Sequence, residues 1–403
     1  MSYIRQKLRL AWETTLRRRT ILQGIGVLGA LGATRAFAAG QIDRPPFAGN
    51  QPRPTQDLMG WYGTTARETA IEPAFPIVDP HHHLFNTASD KLYYRMEDLA
   101  ADLSGGHRVL GTVYVEAYSA GWRKDGPEAY RSVGEVERIV GLTEQPLPMS
   151  WGSSHIAAGI VSSVDLAAGD DIAPVLAAHK EAGVGRLRGV RHHTAYDSGS
   201  VGSLNKHQPS PQLMAEPKFR QGMAQLQRAG LSFDAWVYHT QLADLADLAA
   251  AFPEVDVVVN HMGGLIGVAE HREQREAALK TWRQGLAELA RHPNVKVKVG
   301  GMGMPVFGFG FEHAAKPASS DDLARAWAPL VEVCLETFGT GRCMFESNFP
   351  VDKQSAGYNE VWNAFKKLSA SLSADERRDV FYRTACEVYR LPELRREGDA
   401  MAG

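Results

Sequence analysis

Three consecutive histidines, His81, His82 and His83, follow the apolar β-branched pair Ile77–Val78 in the segment F-P-I-V-D-P-H-H-H-L-F, residues 75–85. On a strand, alternate side chains share a face, so His81 and His83 point one way and His82 the other. Two imidazoles so spaced at a strand end can grip one divalent ion from one side. A histidine-rich turn bonded to backbone would show the same spacing. Other reactive groups close other apolar runs: Glu116 in G-T-V-Y-V-E-A-Y, Arg191, His192 and His193 in L-R-G-V-R-H-H, and His239 in L-S-F-D-A-W-V-Y-H. His261 closes V-D-V-V-V-N-H, and Glu346 and Asn348 stand in R-C-M-F-E-S-N-F-P. Such a set suits metal ligation, proton transfer and polarisation of a carbonyl.

The runs that carry these groups alternate with helical patterns. One helix ends near Gly183, one at Gly230, one follows Gln241, one is closed by His292–Pro293 and one covers 321–338. Counting the histidine strand, eight strands alternate with helices, which predicts a parallel sheet. The repeat suits a single-domain α/β fold, a (β/α)8 TIM barrel over residues 76–396. An open doubly wound sheet is the alternative, but no G-x-G-x-x-G turn follows an early strand. In a barrel, active sites lie at the C-terminal strand ends, where these groups fall.

The chain has 403 residues and a formal net charge of −2, so bulk charge suggests neither a nucleic-acid nor an anionic-membrane partner. Cys334, Cys343 and Cys386 are scattered in apolar patterns and read as packed free thiols. Arg17, Arg18 and Arg19 precede a Gly- and Ala-rich run too short to span a bilayer comfortably, with Ala36 and Ala38 fitting a cleavage site. Residues 1–39 resemble a twin-arginine export signal, which implies a periplasmic protein with no stable membrane span after cleavage. Residues 40–75, rich in Pro, Gly and Gln, predict an extended arm wrapped over the surface.

Four motifs, in order, resemble the amidohydrolase superfamily and within it amidohydrolase family 2. They are V-D-P-H-H-H-L-F at 78–85, R-L-R-G-V-R-H at 186–192, V-V-N-H-M-G-G at 258–264 and R-C-M-F-E-S-N-F-P-V-D at 342–352. That branch holds sugar-lactone hydrolases, pyrone dicarboxylate lactonase, sulfomuconolactone hydrolase and related decarboxylases. The resemblance implies His81 and His83 as metal ligands, with His239 or His261 completing a site for zinc or manganese. It implies Arg191 facing an anionic or carbonyl-bearing substrate. Some lactonases of the branch are thought to work without metal, so the resemblance leaves the cofactor open.

The eighth strand departs from the family pattern. Asn348 stands where aspartate is usual, and an amide takes up no proton at neutral pH. Glu346, where glycine is usual, could take over as base; Arg191 or Lys298 could instead neutralise it, and Asp352 is another candidate base. Substrate contacts are expected from Arg191, His192, Glu116, Tyr118, His261 and Met304. The Gly- and Phe-rich stretch 299–311 predicts a lid presenting Met302, Met304, Phe307 and Phe309, with Trp122 and Tyr118 walling the same pocket. The expected activity is hydrolysis of a sugar or aromatic-pathway lactone, in a chain that dimerises by analogy with the architecture. The alternatives are a metal-dependent decarboxylase of an aromatic acid and a non-catalytic ligand-binding barrel.

Overall fold

Runs of Val, Ile and Phe that are apolar on both faces can only be satisfied by burial between two layers. A computed structural model, which describes residues 45–85, 93–117, 121–205 and 208–402, shows how they achieve it. The strands are β1 (Pro76–His82), β2 (Arg108–Val115), β3 (Leu147–Met149), β4 (Gly152–Ser163), β5 (Leu187–His193), β6 (Ser232–Trp236), β7 (Val257–Val259), β8 (Val295–Val299) and β9 (Cys343–Phe345). Eight run parallel in the order β1-β2-β4-β5-β6-β7-β8-β9; β3 pairs antiparallel with β4 as an outlying hairpin. The sequence did not signal β3, whose three residues are too short for a periodic pattern.

A seam between first and last strands closes the ring. The His83 amide donates to the Phe349 carbonyl at 2.8 Å and the Asn348 amide to the His81 carbonyl at 3.0 Å. Buried Asp79 spans that seam, accepting from the amides of His81 at 3.3 Å and Ser347 at 3.1 Å and from the Tyr358 hydroxyl at 3.0 Å.

Each barrel strand is followed by a helix packed outside: Met96–Leu103, Val133–Leu142, Ala173–Ala182, Pro217–Ala229, Leu242–Ala251, Arg275–Leu289, Ser320–Phe338 and Tyr358–Leu368. The chain thus folds as the expected (β/α)8 barrel. The helix Ser320–Phe338 starts at a reciprocal cap between Ser319 and Asp322, and buries Leu323, Trp327, Leu330, Val331, Cys334 and Leu335 along one face. Pro217 opens Pro217–Ala229, and Gly230, left-handed at φ 62°, ends it. The three cysteines are buried and free.

Residues 1–44, with the export-type segment, lie outside the described residues. The described part of the arm is not wholly extended: Thr55–Tyr62 is a helix. Leu58 and Trp61, three residues apart and buried together, share the helix face that packs on the barrel. Among the described residues no helix is long and apolar enough to cross a membrane.

Candidate active site

The strand ends bring His81, His261 and Glu346 to one buried point, their ligand atoms within 4.8 Å of one another. His81 leaves β1. His261 follows β7, and its left-handed backbone (φ 51°) breaks the strand direction. Glu346 follows β9. Its Oε1 lies 2.7 Å from His261 Nδ1 and also accepts from the His261 amide at 3.2 Å. Its Oε2 lies 2.9 Å from His81 Nδ1, in ion-pair range but not in hydrogen-bond alignment. Burial pushes the Glu346 carboxyl up to about 8 and holds both imidazoles well below their ordinary range. The site therefore keeps its histidines neutral.

His83 joins this group from the same face of β1. Its Nδ1 donates to the carbonyls of Val115 at 2.9 Å and Glu116 at 3.1 Å, which leaves Nε2 bare and 3.2 Å from His81 Nε2. Two imidazole nitrogens bound to one tetrahedral zinc at 2.0–2.1 Å stand roughly 3.3 Å apart. The donors present thus fit a divalent ion. Lys298 does not pair with Glu346: its ammonium meets Asp234 at 2.7 Å and faces His81 Nδ1 at 3.3 Å. Asp234 is further held by the Tyr389 hydroxyl at 2.9 Å and the Asn260 amide at 3.0 Å.

Arg191 is likewise committed elsewhere. Its Nε and Nη2 reach Glu116 Oε1 at 2.7 and 2.6 Å, and its Nη1 stands 3.5 Å from His81 Nε2. Asn348, left-handed at φ 52°, donates its amide to Asp352 Oδ1 at 2.7 Å. Asp352 is buried, not on the surface, and the Gly303 amide donates to its Oδ2 at 2.8 Å. Burial, with Glu346 and Asp79 nearby, raises its carboxyl well above the usual range.

Of these groups His83, Glu116, Arg191, His261 and Asn348, with Met304, line a cavity of about 490 Å³, while His81 and Glu346 lie buried behind them. Phe47, Phe85, Trp236 and Tyr238 also line it, with Phe85 5.7 Å from the His83 ring and Trp236 5.0 Å from the His261 ring, and half-buried His193, bonded to Asn205 at 2.6 Å, completes the lining.

Several expected residues lie elsewhere. His239 is not beside His81 and His83. Strand β6 stops at Trp236, and the chain turns so that His239 meets the ring of His271 at 5.5 Å and accepts from the Ile266 amide at 3.4 Å. The site receives Trp236 and Tyr238 instead. His192 points out of the barrel, its Nδ1 accepting from Leu166 N at 3.0 Å and its ring on Phe219; strand alternation gives the pocket Arg191 and His193. Tyr118 lies outside the described residues. Trp122 donates to Glu135 at 3.0 Å and does not line the cavity. Of the four expected lid residues only Met304 reaches the cavity, because the loop is pinned by Gly267 N to Val306 O at 2.8 Å and by Asp352. The sequence placed His193 at the strand end but chose His192 for the substrate, where alternation with Arg191 selects His193. The sequence missed Asp234, whose partners Lys298, Asn260 and Tyr389 come from β8, the turn after β7 and the end of a C-terminal helix.

The amidohydrolase family model matches residues 78–391. An uncharacterised protein of Sinorhizobium fredii, y4mH, is 28% identical over 327 residues, 78% of this chain and 98% of its own length. An L-fucono-1,5-lactonase of Burkholderia multivorans is 30% identical over 209 residues, 52% of this chain and 64% of the lactonase. A solved amidohydrolase from Burkholderia multivorans, 24% identical, superposes with a TM-score of 0.59 in a form with bound HEPES and 0.57 in one with bound zinc. In each, the match covers 78% of this chain and 99% of that one.

Proposed function

The chain belongs to the amidohydrolase family, and from that premise we propose that it opens a lactone, a small cyclic ester of a sugar acid or an aromatic-pathway acid, by attack of water. The observation that carries this reading is the buried Glu346–His261 pair at 2.7 Å, of which His261 lines the cavity. A carboxyl lifted to about 8 exchanges its proton near neutral pH, where a base and then an acid are both needed. The lactonase match supports the choice of ester.

In this reading Glu346, relayed through His261, takes a proton from the attacking water. The new C–O bond forms at the lactone carbonyl, and the same proton then goes to the ring oxygen as the ring C–O bond breaks, leaving a hydroxy acid. Arg191, fixed by Glu116, sets positive charge beside the carbonyl oxygen and stabilises the charge that develops there. His81, His261 and Glu346 would hold zinc or manganese, which would supply Lewis-acid polarisation and a more acidic bound water.

The test is metal content by elemental analysis, with hydrolysis of a panel of sugar and pyrone lactones followed before and after chelation. Formation of the hydroxy acid without carbon dioxide is expected. Absence of turnover on every lactone, or release of carbon dioxide, would sink the proposal. The twin-arginine-type segment leads us further to propose periplasmic residence, checked by cell fractionation.

A further inference from the structure

The wall of the cavity is not built by the barrel alone. Phe47, Gly49, Asn50 and Gln51 line it, and all four precede residue 78, where the family match begins. The arm is tied down at this point by more than packing. Asn50 Oδ1 accepts from the Val306 amide at 3.1 Å, on the loop that carries Met304. The Arg53 amide donates to Gln354 Oε1 at 3.1 Å, and Gln354 Nε2 donates back to the Arg53 carbonyl at 2.8 Å. The Arg53 guanidinium donates to the carbonyls of Glu312 at 3.0 Å and Ala314 at 3.2 Å and lies 4.3 Å over the Trp61 ring, whose Nε1 also donates to Ala314.

Two loops are therefore bridged by one strap. The first, after β8, holds Met304; the second, after β9, holds Asn348 and Asp352. A chain segment that makes reciprocal amide bonds and spends a guanidinium on two carbonyls is held in one place. It lines the same cavity as Glu116, Arg191 and His261.

From this placement we infer that the arm is a fixed wall of the substrate cavity and that Phe47 is a specificity-determining residue, limiting the size of the substituent a lactone ring carries away from its carbonyl. The lactone part of this inference rests on the proposed function; the wall does not. Removing the ring enlarges the cavity without breaking any of the bonds that hold Glu116, Arg191, His261 and Glu346, so catalysis on small rings should persist. Substrates with a longer exocyclic chain should gain.

Two measurements on the full-length protein separate these claims. Carbethoxylation of histidines by diethyl pyrocarbonate, read by mass spectrometry, reports access to His193 in the cavity lining, with buried His179 reporting general loosening. Phe47→Ala is expected to speed modification of His193 severalfold and leave His179 unchanged. An unchanged His193 rate overturns the wall, whatever the lactone assays show. If both rates rise together, the fold has loosened and Asn50→Ala, which leaves the Phe47 ring in place, decides: faster His193 alone supports the strap, and no change overturns it. On lactones that the wild type turns over, Phe47→Ala should shift the kcat/KM ratio of six-carbon over five-carbon sugar lactones upward by about tenfold, the worth of a methylene-sized fit or somewhat less. An unchanged ratio overturns the specificity role. Absence of wild-type turnover on any lactone would defeat the proposed function while leaving the histidine-access result to judge the wall.

Discussion

Glu346→Gln changes one charge and almost no volume, at a carboxyl that is fully buried between two imidazoles. Burial lifts this carboxyl from its ordinary 4.5 to about 8. The folded protein therefore holds the proton more tightly than the unfolded chain does. That contribution is complete below about pH 4.5 and is lost as pH rises toward 8. At about 1.4 kcal/mol per pH unit, the wild type has given up roughly 3 kcal/mol of it by pH 7. The amide titrates nowhere in this range, so the variant has no such loss. With metal chelated, Glu346→Gln is expected to melt about 4 °C above the wild type at pH 7, from the usual unfolding entropy per residue, with the gap closing toward pH 5. Activity should fall about 10²–10⁴-fold, the ordinary worth of a general base. Added zinc should raise the melting temperature of the wild type more than that of the variant. Differential scanning fluorimetry at pH 5 and pH 8, with and without chelator, and kcat on the best lactone provide the readouts. A variant that keeps its activity, or that is less stable at every pH, would refute the reasoning, since Glu346 would then be a structural prop and not a group kept for chemistry.

Three further outcomes are expected. Asn348→Asp sets a second carboxylate against Asp352, now 2.7 Å from the Asn348 amide nitrogen; urea melts should show a loss of about 2–3 kcal/mol at pH 8 that shrinks at pH 5, where the pair can share a proton. Lys298→Met leaves buried Asp234 with Tyr389 and Asn260 but without its ammonium partner, and equilibrium unfolding should show a loss of about 3–5 kcal/mol; a neutral result would contradict the ion pair as a stabilising contact. Glu135, buried under the Tyr114 hydroxyl and the Ala117 amide beside Glu116, is pushed up to about 7. Glu135→Gln should therefore gain stability relative to wild type as pH rises from 5 to 8, and a pH-independent difference would contradict the shift.

Much of the barrel was legible because its signal is local. Val257, Val258 and Val259 need only their own apolarity to declare a buried strand, and His81 and His83 need only strand alternation to share a face. Where the chain leaves the strand, that signal ends. His239 was placed at a strand end because V-Y-H continues the apolar run; the backbone turns after Trp236, and no periodicity marks the turn. Glu346 was a recognisable departure, but its neighbours were not. Arg191 and Lys298 both looked available to it, and each is claimed by a nearer carboxylate, Glu116 and Asp234. Pairing of that kind depends on which side chains the closed ring sets opposite each other, at separations of 75 and 64 residues. The helix Thr55–Tyr62 was hidden by the Pro- and Gly-rich composition around it, and only its docking through Leu58 and Trp61 makes it stable.

The seam that completes the barrel also completes the site. His81 and Glu346 come from the two ends of the ring, and the backbone bonds that join those ends run through His81, His83, Asn348 and Phe349 themselves. Contacts so distant in sequence are the costly ones to form, since the loop-closure entropy of nearly the whole domain must be met before they give anything back. A nascent chain, or one missing its last strand, therefore has every barrel histidine and no assembled centre. Activity becomes a report that the last strand has met the first.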